Sequence, residues 1–150
     1  MTAKFTGRNF DCTVLGTMIH VESATATIND ESAVAMSRGV TDGYTDGAVT
    51  CDVEYEVDLN NFRKLQQAAR SAGSWRGIKP DDCLFYANNG SDEDKIELYG
   101  VKLVIADLLS VDPSSSDKTK RKLKGFVTSP LFVRINGIPY LSTDDTRGLV

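Results

Sequence analysis

The segment AVTCDVEYEVD, residues 48–58, alternates apolar and polar residues more clearly than any other part of the chain. Its odd positions from Val49 to Val57 are apolar, and its even positions carry Thr50, Asp52, Glu54 and Glu56. Successive side chains of a strand point to opposite sides of a sheet. The pattern therefore predicts a strand with one face in the core and an acidic face directed away from it.

Other strand-like segments, separated by turn signals, occupy much of the remaining sequence. FDCTVLG (10–16) and MIHVESATATI (18–28) predict two strands joined at Gly16-Thr17, and the steps Asn89-Gly90 and Asn136-Gly137 predict two further hairpins. A change in the phase of the apolar residues at Gly100 predicts a β-bulge. Seven or eight short strands are therefore expected.

One segment, about residues 58–72, has helical periodicity. Asp58 is a suitable N-cap and Gly73 a suitable residue to end the helix. The apolar stripe consists of Leu59, Phe62, Leu65, Ala69 and Ala72. One apolar face predicts a helix that covers a sheet, so the expected fold class is α+β, built mainly on antiparallel strands with one flanking helix.

Length and composition are those of a globular chain. With 150 residues, 41% hydrophobic and 25% charged, we expect a single domain, residues 1–150. The net charge of −4 argues against a general affinity for nucleic acid. The first residues lack an apolar signal segment and the longest apolar run is too short for a bilayer, so we expect a soluble protein with no membrane partner.

The irregular stretch from about 29 to 47 contains the steps Asp42-Gly43 and Asp46-Gly47. A calcium loop would need a glutamate at its twelfth position, but Val53 stands there when Asp42 is counted as the first. Both steps are instead interpreted as turns in a long loop, because aspartate and glycine enter left-handed conformations readily.

Catalytic and cofactor motifs are missing from the sequence. Cys12, Cys51 and Cys83 lie far apart, and His20 is the single histidine, so neither a zinc site nor a Cys–His pair is predicted. No phosphate-binding motif occurs. An acid/base pair on the 48–58 strand is disfavoured against a solvated face. We expect no enzyme, no cofactor and no metal.

Charge is unevenly distributed along the chain. Between Val40 and Asn60 there are six acidic residues and no basic one, whereas the segment 114–125 has five basic residues and one acidic residue. The basic residues are Lys118, Lys120, Arg121, Lys122 and Lys124. Two complementary segments are compatible with contacts between copies of the chain, and a solvated loop is an equally good interpretation.

Three segments, SAVAMSRGVTDGYTDG, SAGSWRGIKP and SPLFVRINGIPYLS, resemble in this order the small tail tube proteins of contractile-tailed bacteriophages and prophages. The resemblance extends from about Phe10 to Leu149 but leaves out the three cysteines and PSSSDKTKRK. It implies two packed antiparallel sheets, sandwich- or barrel-like, with one helix. Six copies would form a ring with a continuous inner barrel, and rings would stack into a tube inside a sheath. Tape measure protein and then DNA would occupy the lumen, and the tube itself would catalyse no reaction.

The resemblance also implies roles for particular residues. The loop at 29–47 would reach a neighbouring subunit or ring through Arg38, Asp42, Gly43, Tyr44, Asp46 and Gly47. Asp52, Glu54 and Glu56 would give the lumen a negative wall. The protein would be found in the virion tail and, before assembly, in the host cytoplasm. A tube component like those of type VI secretion and a monomeric β-barrel that binds a small ligand are the alternatives.

Overall fold

The computed structural model of the protein describes residues 10–88, 90, 92–109, 111–114, 116 and 118–149. These residues form eleven strands and one helix: β1 (Phe10–Val14), β2 (Thr17–Ile19), β3 (Ser23–Asp30), β4 (Ala33–Ser37), β5 (Val40–Thr45), β6 (Val49–Asp58), α1 (Leu59–Ala72), β7 (Asp81–Asn88), β8 (Glu93–Asp107), β9 (Lys120–Val127), β10 (Val133–Ile135) and β11 (Ile138–Pro139). The predicted class, mainly antiparallel β with one helix, is confirmed.

Nine strands belong to one antiparallel sheet in the order β2-β1-β7-β8-β9-β6-β3, with β10 also paired to β8 and β11 paired to β10. The 15-residue β8 divides this sheet, since its first part pairs with β7 and β10, and the part from Val101 onward pairs with β9. We call the side with β2, β1, β7, β10 and β11 half-sheet A, and the side with β9, β6 and β3 half-sheet B. β4 and β5 form a separate two-stranded sheet.

The two half-sheets face each other across the core. On the inward side of β6, Cys51, Val53, Tyr55 and Val57 are buried, as the alternation predicts. Cys12 and Cys83 of half-sheet A lie close enough to the Tyr55 side chain on half-sheet B to add to the effect of burial in raising the pKa of Tyr55, so the chain folds back on itself. Burial of each large apolar side chain contributes about 1.5–3 kcal/mol.

The bend of β8 at Gly100 makes this arrangement possible. Asp82 alone faces Tyr99 and Gly100, so the predicted β-bulge is confirmed. Gly100 has φ +63°, and a side chain there would press against Ser129 and Thr128. Its carbonyl oxygen accepts a hydrogen bond of 2.9 Å from the backbone N–H of Thr128. A glycine is therefore required where the strand passes from half-sheet A to half-sheet B.

Helix α1 has the predicted caps. The Asp58 carboxylate accepts hydrogen bonds from the backbone N–H and the side-chain amide of Asn61, at 2.9 and 2.8 Å, and Gly73 ends the helix with φ +84°. The buried residues are Asn61, Phe62, Leu65 and Ala69, whereas Leu59 and Ala72 are exposed at the two ends. In the described residues, no helix has the length and apolarity to cross a membrane.

The prediction of one strand over residues 18–28 is wrong. β2 ends at Ile19 and β3 begins at Ser23. Between them, the backbone N–H of His20 donates to Asn61 Oδ1 at 3.1 Å instead of to a strand. This contact with α1 lets the chain leave half-sheet A and enter half-sheet B.

The prediction of an irregular stretch at 29–47 is also wrong, because β4 and β5 form a hairpin there. Its turn is at Arg38-Gly39, with φ +52° and +80°, and neither Asp-Gly step forms it. Asp42 and Gly43 lie within β5, where the register with β4 shifts. The step Asp46-Gly47 lies between β5 and β6.

Two further turn predictions have different outcomes. The tight turn at Asn136-Gly137 joins β10 to β11, and both residues have positive φ, +54° and +81°. The step Asn89-Gly90 includes Asn89, which lies outside the described residues.

Candidate functional site

On the outward side of half-sheet B, a row of acidic residues on β6 lies next to a row of lysines on β9. We call this surface the polar face; it consists of the outward side chains of β6 and β9. Asp52, Glu54 and Glu56 of β6 all lie on it, directed away from the core. In the register with β9, Glu54 is opposite Lys124 and Glu56 is opposite Lys122. Two of the three carboxylates therefore have a lysine opposite them, while Asp52 is opposite Phe126, and the acidic row is not an unbroken negative strip.

Glu54 is the centre of an ion-pair network on the polar face. Its two oxygens lie 3.5 Å from Lys122 Nζ and 3.3 Å from Lys124 Nζ. A hydrogen bond from Lys124, followed by the charge of Lys122, lowers the pKa of the Glu54 carboxyl. This carboxylate therefore stays ionised and locally neutralised at physiological pH.

The basic segment at the start of β9 is largely satisfied within the chain. Lys118 forms ion pairs with Glu22 and, at 3.6 Å, with Asp58. Arg121 donates from Nη1 to the carbonyl oxygen of Leu108 at 2.8 Å, and its guanidinium lies 4.7 Å from the centre of the Phe62 ring. Together with Lys122 and Lys124, four of the five predicted residues have partners in the same subunit. The charge argument for contacts between copies through them is therefore weakened.

The hairpin β4–β5, with the residues that flank it, forms a protruding segment that we call the arm, residues 31–47. All six residues predicted for the inter-subunit loop lie on it and are exposed. So are the large apolar side chains of Val34, Met36, Val40 and Tyr44, and Tyr44 is 75% exposed. Exposed groups of apolar side chains are typical of surfaces that bind another protein.

The base of the arm is held firmly. Tyr140 Oη donates to Asp30 Oδ2 at 2.6 Å, and the other oxygen of Asp30 accepts from the backbone N–H and hydroxyl of Ser32. Hydrogen bonds from Ser32 and then from Tyr140 lower the pKa of Asp30. A side chain at Gly47 would lie 2.3 Å from the carbonyl oxygen of Glu31, so this position needs glycine.

Half-sheet B has two unpaired edges in the described part of the chain. β3 pairs with β6 on one side and has no strand on the other. The other open edge is the second part of β8. From Val101 onward this part pairs with β9 on one side, while on the other side its pairing with β7 ends at Val101. These edges are not predictable from the sequence, because only the order in which the strands pair reveals them.

A cleft of about 730 Å³ lies where the inward side of β3 faces half-sheet A. Its walls are mostly apolar and include Phe10, Ala24, Ala26, Phe85 and Ile96. His20 and Glu22 are its ionisable residues besides the thiol of Cys12. No three potential metal ligands lie together in the part of the chain that the structure describes.

The three cysteines are buried core residues. Burial raises the pKa of Cys12 and Cys83 to about 12 and that of Cys51 to about 11. Because the thiolate is the reactive form, these side chains act as small apolar groups at neutral pH. Burial also raises the pKa of Tyr55, whose hydroxyl has no hydrogen-bond partner within the described residues.

Comparison with known proteins gives a consistent family. Residues 8–141 match the family described as Bacteriophage HP1, Orf24. The chain is 45% identical over 147 residues to the "Putative tail tube protein" of Haemophilus phage HP1 (strain HP1c1), and the match covers 98% of both chains.

Solved structures share the fold at low sequence identity. A chain from the sheath/tube terminator of the extracellular contractile injection system PVC superposes with a TM-score of 0.70 at 10% identity, covering 90% of this chain and 98% of that one. A chain from the sheath-tube complex of the same system gives 0.66 at 10% identity, covering 87% and 89%. Hcp1 from Flavobacterium johnsoniae gives 0.54 at 11% identity, covering 89% and 98%. With a family match over most of its length and a relative at 45% identity, the chain belongs to the bacteriophage HP1 Orf24 family.

Proposed function

We propose that this protein is the tail tube subunit of a contractile-tailed phage or prophage. Copies join into rings of six, and the rings stack into a hollow tube inside a sheath. The HP1 relative, named for a tail tube, supports this role. Further support comes from the similarity in fold to chains from a sheath-tube complex and a tube terminator.

The observation that carries the proposal is the pair of unpaired edges of half-sheet B. β3, with the sequence SATATIND, has neither the lysine nor the proline that commonly protects an exposed edge. Alternate residues of such a strand direct their N–H and C=O groups to the open side, where another strand can add without a change in the fold. In a closed ring, β3 of one copy meets the second part of β8 of the next, and no edge of half-sheet B remains exposed.

The polar face then borders the lumen. It points away from the core of each subunit, and in a barrel of joined half-sheets B that direction is the channel. The earlier expectation of a purely negative wall is replaced by one with alternating carboxylates and lysines, in which Glu54 is paired. Such a surface gains little counterion-release affinity for phosphates, so tape measure protein and DNA pass without specific binding. The subunit performs no reaction.

The arm extends to a neighbouring copy. Arg38 and Gly39 form the turn at the tip, both with positive φ, and the Arg38 side chain is exposed there. Arginine and tyrosine are frequent hot spots of interfaces, so Arg38→Ala or Tyr44→Ala weakens assembly and leaves the subunit folded. Variants that polymerise like the wild type would remove the arm from the interface.

Two alternatives to the phage tube lead to different observations. The 45% identity to a phage protein favours a virion tail, assembled from subunits in the host cytoplasm without a membrane, over a type VI secretion-like tube. The cleft between β3 and half-sheet A is the feature that favours a monomeric ligand-binding barrel. A monomer that shows no tendency to form rings on size-exclusion chromatography would support that barrel.

The edge hypothesis is tested with two adjacent proline substitutions, Thr25→Pro and Ala26→Pro. One of these residues directs its N–H toward β6 and the other toward the open side. We expect the proline that replaces the N–H directed toward β6 to destabilise the subunit. The proline that replaces the N–H directed toward the open side should leave most of the thermal stability and abolish rings in negative-stain electron microscopy. Normal rings from the more stable variant would contradict the proposal.

A further inference from the structure

Two segments that flank β6 carry opposite charge that is not paired among the described residues. The arm, residues 31–47, contains Glu31, Asp42 and Asp46 against the single basic residue Arg38, a net charge of −2. Residues 59–80, which comprise α1 and the segment after it, contain five basic residues and no acidic residue, a net charge of +5. We call residues 59–80 the basic end; the five are Arg63, Lys64, Arg70, Arg76 and Lys79.

These charges form no ion pairs among the residues that the structure describes. All five basic side chains and the three carboxylates of the arm belong to exposed residues. Every ion pair found among the described residues involves Lys95, Lys118, Lys122 or Lys124, and none involves the arm or the basic end. Neither set of charges therefore stabilises the fold through a salt bridge in the described structure.

The exposed side of α1 is also not arranged for helix stability. Arg63 and Arg70 lie two turns apart on it, and the residues at ion-pairing distance along the helix are Gln66 and Gln67 rather than glutamates. A solvated helix usually mixes both signs of charge. A surface with one sign alone is better explained by a partner of the opposite sign.

The connection through β6 keeps the two charged ends apart. The arm returns to β6 at Val49, and α1 begins directly after β6 ends at Asp58. The neighbouring β3 runs in the opposite direction, with Asp30 beside Val49 and Ser23 beside Glu56. Ten strand residues span roughly 30 Å, well beyond the Debye length at physiological salt. The base of the arm and the start of α1 in one subunit are therefore too far apart to neutralise each other.

We propose that the basic end is the docking surface for the arm of a second copy, in a head-to-tail contact that stacks one ring on the next. The proposal rests on the tube function proposed above, and it adds the surface that receives the arm. A contact between two different surfaces of the same chain repeats without closing, as a growing tube requires. The chain outside the basic end carries a net charge of −9, from −4 in total and +5 in that segment, which favours a local acidic protein surface over a long polyanion such as DNA.

Charge reversal on each surface and on both tests the contact. One variant carries Arg63→Glu with Arg70→Glu, a second carries Asp42→Lys with Asp46→Lys, and a third combines all four. The control, Lys95→Glu with Arg147→Glu, makes the same change in net charge as the first variant at residues outside the arm and the basic end. Sedimentation measures the concentration needed for assembly, negative-stain electron microscopy distinguishes rings from tubes, and circular dichroism checks the fold.

We expect each reversed pair to raise the concentration needed for tubes by at least about tenfold while rings persist, because like charges then face each other across the stack. The combined variant returns to within about threefold of the wild type, and the control assembles normally. Higher salt weakens wild-type stacking.

Other results overturn the inference in distinguishable ways. If the reversed variants form tubes like the wild type, or if the combined variant is not rescued, the pairing is wrong while the tube function stands. If Arg63→Glu with Arg70→Glu stacks normally but loses retention of duplex DNA at low salt, the basic end is a nucleic-acid surface. If the wild type forms neither rings nor tubes, the proposed function fails and the inference fails with it.

Discussion

Replacing Phe62 by alanine tests how α1 is joined to the sheet. Phe62 is 5% exposed, its ring stacks on Trp75 with centroids 5.0 Å apart, and the Arg121 guanidinium lies 4.7 Å from its centre. The substitution removes a buried aromatic ring together with both contacts. Phe→Ala changes in cores cost about 3–5 kcal/mol, and this range already includes the stacking contribution.

The assays are equilibrium unfolding in urea and thermal unfolding, both followed by circular dichroism and tryptophan fluorescence. Since 1 kcal/mol shifts the melting temperature of a chain of this size by about 2–4 °C, we expect a decrease of about 6–20 °C. Phe126→Ala is the matched control, because Phe126 is 43% exposed on the polar face. A loss below about 1 kcal/mol for Phe62→Ala, or an equal loss for Phe126→Ala, would refute the view that this ring joins α1 to the core.

Three further predictions concern the subunit. Gly125→Ala should destabilise it by about 1–3 kcal/mol, because the added carbon would lie 2.5 Å from Val101 Cγ1; unchanged urea unfolding would contradict this. Tyr140→Phe should lower the free energy of unfolding at pH 7, and the difference from the wild type should shrink below about pH 4. The hydrogen bonds that lower the pKa of Asp30 stabilise the fold above the pKa of the unfolded state, and this contribution is lost as the pH falls through the pKa of the folded state. A deficit independent of pH would exclude that bond. The three buried thiols should react with a thiol reagent at neutral pH only after denaturant is added; these are the thiols of Cys12, Cys51 and Cys83. Immediate labelling of the native protein would show that at least one of them is accessible.

Local patterns predicted the elements whose structure depends on nearby residues. The alternation along β6 identified its buried face, and Asp58 and Gly73 identified the ends of α1, because strand pleat and helix caps involve residues close in sequence. The turn at Asn136-Gly137 was predictable for the same reason. The bulge at Gly100 was visible as a phase change along a single strand.

Elements that depend on distant contacts were not predictable in this way. The break between β2 and β3 relies on the hydrogen bond from His20 to Asn61, 41 residues away. The hairpin β4–β5 within the arm was missed because its turn uses Arg38, an uncommon residue at positive φ, while the more typical Asp-Gly steps lie elsewhere. The lysines beside Glu54 come from β9, and only the strand order brings them there.

The same distinction between nearby and distant contacts applies to the residues of the candidate site. Exposure of the acidic face followed from periodicity, whereas the projecting arm was an implication of the resemblance to tail tube proteins. The open edge of β3 and the single sign of charge on the basic end depend on which strands pair and where β6 begins and ends. Roles in the lumen and between subunits stay predictions until an assembly is observed.

The most direct test of the tube proposal is a cryo-electron-microscopy reconstruction of the purified, concentrated protein. The account predicts a hollow tube of stacked sixfold rings, in which β3 of each subunit is hydrogen-bonded to the next copy and the Glu54 side chain faces the channel. Particles that remain monomeric at all concentrations, or rings in which the polar face lies on the outer surface, would contradict it.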